Sequence, residues 1–537
     1  MKFASSKQLN LQMNNSRKKQ AGEAVASGGY GCVFRPALKC EGEKKRQVGN
    51  ISKFMKSGYA VDELEEVNSA KKILGKIPNY SKYFALYGYN KCVPDKFTNE
   101  DLKNFNNKCS KFSSLNYIKN NFNKNKTIRK DYAILNSPDL GISVSDAIEK
   151  LFNKFGSKTT NNPDIYKFLI KLNNTSIDTL KNGIKKMNDV KFYHSDVKQQ
   201  NVMTNLDIDN LDKSFEYMKL IDFGLALPED ADEYDVNGNF LFNYPFSSCL
   251  YSYRYRDSIN RKLNRSITAA HSVEPSKVKP FLKKEITNFV NMIINDRIGH
   301  MPYMLYIGKF AFDKSTKDFI TKLFQPLLID YLTEVIIRNY TRNQGTGNYY
   351  FDDYNYWKNV YRFNLDVWGF LQIYYQIAID ANNRFNDIRK DYISIIKKYV
   401  YNVDYANKPI PVNSVIADIN KITKKYNKLV AKTSKVVLTK QPVNKSKKSL
   451  VIFKKLKHTV KSKTKAKTKA KSATASKYSL VGKKCPKGFI RHKTMRNKCV
   501  RKPVVKPKTI SKYTLVGKKC PKGFIRHKTM RNKCVRK

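Results

Sequence analysis

Apolar positions along the chain change their period several times, and each change predicts an element. Over residues 25–54, apolar and β-branched side chains surround glycines, the pattern of strands joined by tight turns. Further on the period lengthens. Val61, Leu64, Val67, Ala70, Ile73 and Leu74 lie on one face and stop near Gly75 and Pro78, which predicts an amphipathic helix. Residues 95–130, rich in Asn and Lys, read as an insertion. A short buried strand is predicted at 132–135, leading through Ser137 and Pro138 into a helix that begins around Ser145. Residues 164–191 are helical in pattern, and 202–203 and 219–221 are strand candidates bracketing a hairpin. The Tyr-rich stretch 251–364 reads as helical, and 363–400 as a strongly apolar helix followed by a basic, Tyr-rich one.

Charge divides the chain. No Asp or Glu follows Asp418, and residues 419–537 hold 41 Lys or Arg, so most of the net charge of +59 over 537 residues lies in the tail. A polycation of this kind attracts phosphate backbones and other polyanions without sequence specificity, so nucleic acid or another polyanion is the expected partner of the tail. The plainer reading is a solubilising appendage. Residues 476–502 recur as 511–537 with Ser479 replaced by Thr514, after a Lys-, Thr-, Ser- and Ala-rich stretch. These shifts divide the chain into a polar basic arm (1–20), a globular body (21–430), a basic low-complexity linker (431–475) and two basic repeats.

The chain has nine cysteines, an odd number, and those of the body, Cys32, Cys40, Cys92, Cys109 and Cys249, are irregularly spaced, which argues against a disulfide framework and for a reducing compartment. In the tail, Cys485, His492 and Cys499, then Cys520, His527 and Cys534, leave zinc short of four closely paired ligands. A small hairpin around Gly488 or Gly523, its cysteines facing, fits better and would display Lys487, Arg491, Lys493, Arg496 and Lys498. The N-terminus has no signal-peptide-like apolar run, and Asp296, Arg297 and Lys309 interrupt the most apolar window. An intracellular protein, neither secreted nor membrane-spanning, is expected.

Phosphoryl transfer needs a floor for the phosphates, a cation upon them, metal ligands and a carboxylate to orient the attacking hydroxyl. The chain offers these in order. Ala26-Ser27-Gly28-Gly29-Tyr30-Gly31-Cys32-Val33 lets backbone amides approach phosphate oxygens, although alone it is a weak signal that reads more readily as an ordinary glycine turn. Lys53 would sit on the α- and β-phosphates, with Glu66 holding it by an ion pair and Glu63 and Glu65 as rivals. The most specific signal is Tyr193-His194-Ser195-Asp196-Val197-Lys198-Gln199-Gln200-Asn201 followed by Leu220-Ile221-Asp222-Phe223-Gly224. Asp196 would accept the substrate hydroxyl's hydrogen bond, Lys198 would neutralise the moving phosphoryl group, and Asn201 and Asp222 would bind magnesium through oxygen.

These motifs resemble the protein-kinase superfamily over roughly residues 20–430. The Asn-, Lys- and Tyr-rich style is similar to that of serine/threonine kinases of giant nucleocytoplasmic DNA viruses. The resemblance implies an α+β, two-lobed fold, with a β-rich N-lobe (about 21–136) over a mostly helical C-lobe (about 137–430, with a long insertion at 251–362). It implies ATP in the cleft with Mg2+, or Mn2+, and a hinge from Tyr132 to Ser137, with Ile134, Leu135 and Asn136 at the nucleotide, that takes the adenine through its backbone. His194, Phe223 and Gly224 would brace the site, and Asp366, in Asn364-Leu365-Asp366-Val367-Trp368-Gly369, would hold the catalytic-loop backbone. Lys198 accompanies Ser/Thr substrates in the family. If viral, the protein would act in host cytoplasm or virion. Three features depart from the pattern. Ala26 replaces the first loop glycine, Ser195 replaces an arginine, and no Ala-Pro-Glu closes the segment after Gly224. A kinase-shaped pseudoenzyme that scaffolds or packages nucleic acid is the alternative.

Overall fold

The computed structural model describes residues 22–28, 30–109, 112–156, 163–231, 238–382 and 384–439, and four short strands in the tail. Two compact units divide the chain, Met1–Val443 and Asn444–Lys537. In the first, a small antiparallel sheet precedes a mainly helical remainder, which makes it α+β.

Strands β1 (Glu23–Ser27), β2 (Gly31–Arg35), β3 (Asn50–Lys56), β4 (Asn90–Cys92) and β5 (Tyr132–Pro138) pair antiparallel in the order β1-β2-β3-β5-β4. Gly31 is needed where it stands, because a Cβ there would lie 2.6 Å from the carbonyl oxygen of Phe54. Helix α1 (Ser57–Leu74) follows β3 directly and ends at Gly75, starting earlier than the apolar repeat from Val61 suggests.

Residues 95–130 are structural rather than peripheral. A short helix at Phe105–Cys109 and a π-turn at Ile118–Phe122 carry Phe105, Ile118 and Phe122 into a cluster with Phe34, Phe54 and Tyr132, which Phe97 joins from the segment before them, and a second short helix, Lys126–Lys130, leads on to β5. The ring of Phe54 lies 4.9 Å from Phe97, 5.1 Å from Tyr132 and 5.3 Å from Phe122. The asparagines that make this stretch look like a loop serve its turns. Asn125 accepts from Thr127 N to cap a helix, and Asn123 bonds both backbone groups of Phe97. Here the structure also corrects the expectation of unpaired body cysteines. Cys32 is bonded to Cys109 and Cys40 to Cys92, with Cα atoms 5.6 and 5.8 Å apart. Separations of 77 and 52 residues hide these pairs from spacing alone, and the inference of a reducing compartment loses its basis.

The helical remainder contains α2 (Val144–Gly156) and α3 (Pro163–Asp178), which runs on through a π-turn to Asp189. The expected hairpin is β7 (Val202–Thr204) with β8 (Lys219–Leu220), and β6 (Ile142–Ser143) pairs with β7. Next come α4 (Tyr253–Ala270), α5 (Pro275–Asn295), α6 (Met301–Ala311) and α7 (Gln325–Arg338). A ribbon of Tyr340–Arg342 with Tyr349–Phe351 interrupts the expected helical run. Its turn is made by Gly347 at φ +72° and by Asn343, which accepts from Gly345 N and Thr346 N. Helix α8 (Arg362–Ala381) is apolar almost all round and buried nearly throughout, so the other helices pack about it. The unit closes with α9 (Asn386–Tyr399) and α10 (Val412–Thr439), and a boundary at 430 would cut α10.

In the second unit Phe489–Arg491 pairs with Cys499–Arg501, and Phe524–Arg526 with Cys534–Arg536. Cys499 stands opposite Arg491 and Cys534 opposite Arg526, while Gly488 and Gly523, around which the hairpins are expected, lie outside the described residues. Cys485, Cys520, His492 and His527 lie outside the described residues, as do the arm at 1–20 and the linker. Among the described residues no helix is long and apolar enough to cross a membrane.

The Phe54 cluster predicts that Phe54→Ala costs about 3–5 kcal/mol of stability, read as a lower urea midpoint. A cost below about 1 kcal/mol would mean that the layer over the sheet contributes little.

Candidate active site

The register of the sheet places Lys53 in the middle of β3, opposite Val33 on β2 and Leu135 on β5. Its ammonium donates to Glu63 Oε2 at 2.6 Å, both side chains being about one quarter exposed. Glu63, not Glu66, is therefore the partner. Because α1 begins at Ser57, Glu63 already lies on the face that carries buried Val67 and Ala70. Glu66 comes one turn later on that face, with Oε2 3.1 Å from where a Cβ on Gly224 would stand, beside the Asp-Phe-Gly turn. Glu65 points away and is exposed. Tyr89 joins the two parts of the site. Burial raises its phenol pKa well above the ordinary value, and the negative charges of Glu63 and Asp222 both add to the effect.

The turn between β1 and β2 is closed by a hydrogen bond from Gly28 N to Gly31 O at 2.9 Å, and nothing crowds Gly28. Ala26 pairs with Val33 and Ser27 with Cys32, while Tyr30 is exposed and its ring lies 4.9 Å from that of Tyr59. Gly29 lies outside the described residues.

Ile134, Leu135 and Asn136 do not form an open hinge. Each pairs on one side with β3 and on the other with β4, so their backbone groups are committed to the sheet. The Asn136 side chain is buried and accepts from the Ser52 hydroxyl. Pairing with β4 ends at Asn136, whereas Ser137 and Pro138 stay paired with Ile51 and Asn50 of β3 alone, and Arg35 is bonded to the following Asp139 at 2.8 Å.

The loop from His194 to Asn201 is clamped from below. Asp366, on α8, accepts from His194 N at 3.0 Å, Ser195 N at 2.9 Å and Asn188 Nδ2 at 2.8 Å. The residue is fully buried, so these three donors replace water around its carboxylate, whose pKa burial nonetheless raises. One turn along α8, a Cβ on Gly369 would lie 2.1 Å from Val197 O, so only glycine lets helix and loop meet. Ser195, at φ +61°, takes a left-handed backbone that the clamp imposes.

Around Asp196 the bonds converge. Lys198 Nζ donates to Oδ2 at 2.6 Å, Asn201 Nδ2 to Oδ2 at 2.8 Å and to the Asp196 carbonyl at 2.9 Å, and Asn243 Nδ2 to Oδ1 at 3.0 Å. Ile221 N donates to Asn201 O at 3.0 Å, which sets Asp222 beside Asn201. Asp222 has φ +65°, and His194 Nε2 meets Ile221 O at 2.9 Å. Phe223 lies 4.7 Å from the His194 ring and 6.4 Å from Phe84.

Two contributors carried no signal in the sequence. Asn243 is buried and bonds both Asp196 and Val197 O, so the segment after Gly224 returns to the loop from His194 to Asn201 without an Ala-Pro-Glu motif. His300 stacks on Phe242 at 5.6 Å and is near enough to feel Lys198 and Asp196. Burial, with the Lys198 charge, holds its imidazole below the ordinary 6.5.

A polar chain also supports the loop from behind. Gln199 Nε2 donates to Gln376 Oε1 at 3.4 Å, and Gln376 Nε2 to Asp380 Oδ2 at 2.9 Å. Burial pushes the Asp380 carboxyl up from 3.8 to about 6, opposed by the Gln376 bond and aided by the charge of Glu149. An acid with a raised folded pKa keeps its proton in the folded state after losing it in the unfolded one. The stability it contributes is whole below 3.8 and is lost as pH rises through about 6. Denaturation midpoints should therefore show a component that declines over that window, and Asp380→Asn should remove it. An unchanged profile in the variant would contradict the assignment.

Against protein-family models and curated proteins the chain finds no match, so a functional reading rests on this geometry and its chemistry.

Proposed function

We propose that the chain is an ATP-dependent protein kinase of the serine/threonine type, a two-lobed phosphotransferase tethered by its basic tail to nucleic acid or another polyanion. The observation that carries the reading is the Asp196 carboxylate, gripped by Lys198, Asn201 and Asn243 on a loop that Asp366 clamps. A structural aspartate has no need of a lysine and two carboxamides. A carboxylate that must align a substrate hydroxyl does need such fixing.

The donor set suits magnesium. Asn201 spends its Nδ2 on Asp196, and neither Asn201 Oδ1 nor the Asp222 carboxylate has a hydrogen-bond or ion-pair partner among the described residues. One carboxylate and one carboxamide oxygen fit a hard cation that keeps waters and phosphate oxygens as its other ligands. When bound with ATP, magnesium neutralises charge on the phosphates. Lys53, steadied by Glu63, would hold the α- and β-phosphates under the Gly28 turn, and Lys198 would meet the transferred group. The adenine edge would lie along the backbone of residues 137–139, where β5 is no longer paired with β4. The sheet with its own aromatic core and the helical part around α8 would be the two lobes.

Asp196→Asn and Asp222→Ala should each lower phosphate transfer to Ser/Thr peptides at least about a hundredfold. Glu63→Ala should lower it about tenfold and Glu66→Ala less. Transfer that survives the aspartate changes, or the reverse order for the glutamates, would overturn the roles given. For the tail, the 41 basic residues of 419–537 predict DNA binding that weakens steeply with salt and is lost on truncation after Val443. Retention of that binding by the truncated protein would place the contact elsewhere.

A further inference from the structure

Helix α6 begins at the candidate site and runs away from it with aromatic rings on its outer face. Phe242, next in sequence to the Asn243 that bonds Asp196, is stacked on His300, at the start of α6. His300 N donates to Phe240 O at 2.8 Å, fixing this end of the helix to the segment that returns to the catalytic loop. Tyr303 packs edge-on against Phe242 at 5.0 Å. Positions 303, 306 and 310 share a helical face, turned about 100° from the one that carries the buried Met304, Ile307 and Ala311. Tyr306 and Phe310 are 57% and 44% exposed with their rings 5.0 Å apart, and Lys309 Nζ lies 4.7 Å from the Phe310 ring. Neighbouring exposed aromatics are more than the folded chain needs from this helix, since its core contacts come from the buried face that carries Met304, Ile307 and Ala311.

We infer that the outer face of α6 is a docking strip for the protein substrate itself, taking an apolar side chain a short distance along the peptide from the phosphate-accepting Ser or Thr. The strip is continuous with the site, because Phe242 and His300 connect Asp196 to Tyr303 and onward to Tyr306 and Phe310. Its length sets the spacing. From His300 to Phe310 the helix rises ~15 Å, which an extended peptide spans in about four or five residues. The inference rests on the phosphotransfer reading and adds a substrate preference to it.

The test uses the full chain and peptide pairs that differ at one position, Phe against Gly, placed three to five residues from a single acceptor serine on either side. On one side of the acceptor, the Phe peptide should be preferred about tenfold in kcat/KM, with the difference carried by KM. In the double variant Tyr306→Ala/Phe310→Ala, whose exposed positions spare the fold, the preference should fall to within about twofold. A wild-type enzyme indifferent to the Phe, or a variant that keeps the preference, overturns the docking strip while leaving the kinase reading intact. Absence of transfer to every peptide overturns both.

Discussion

A carboxylate buried on an apolar helix is expensive unless its environment replaces the water it loses, and at Asp366 the environment that does so is the loop that carries Asp196. Backbone amides of His194 and Ser195 and the Asn188 side chain supply the donors. The obligation runs both ways. The loop can satisfy Asp366 only in the conformation that turns these amides downward, with Ser195 at positive φ, and that conformation turns Asp196 and Asn201 upward. Gly369 lets the helix approach close enough for the bonds to form. Helix α8 is thus both the axis of the core and the foundation of the site.

The sheet meets a different requirement. Lys53 must project from a strand that does not shift, and β3 is held between β2 and β5 with Phe54, its neighbour, sunk into aromatic rings on the other face. One disulfide, Cys32 to Cys109, connects β2 to the layer that supplies the rings, and the other, Cys40 to Cys92, connects the segment after β2 to β4. Glu63 then fixes the lysine head from α1, and Glu66 stands beside Gly224, so one helix face touches both the cation and the Asp-Phe-Gly turn.

Much of this was legible in the sequence, because the loop from His194 to Asn201 and the turn from Asp222 to Gly224 are local, and local chemistry constrains local spacing. Asp366 was legible only through a family likeness, yet the geometry gives it an independent physical reason. The misreadings have a common origin in element boundaries. Helix α1 starts earlier than its apolar repeat, which moves the ion pair from Glu66 to Glu63. Strand β5 runs on to Pro138, which commits Ile134, Leu135 and Asn136 to the sheet. Asn243, His300 and the cysteine pairs act across long stretches of chain, where neither periodicity nor spacing has anything to register. In residues 95–130 polar composition concealed aromatic residues that complete a core.

The claim that Lys53, Asp196, Asn201 and Asp222 surround one metal-bound triphosphate is tested most directly by a crystal structure with magnesium and a non-hydrolysable ATP analogue. The account predicts a metal about 2.0–2.1 Å from oxygens of Asn201 and Asp222, with Lys53 on the phosphates and the adenine edge against residues 137–139. A nucleotide bound elsewhere, or none bound at saturating concentration, would contradict it.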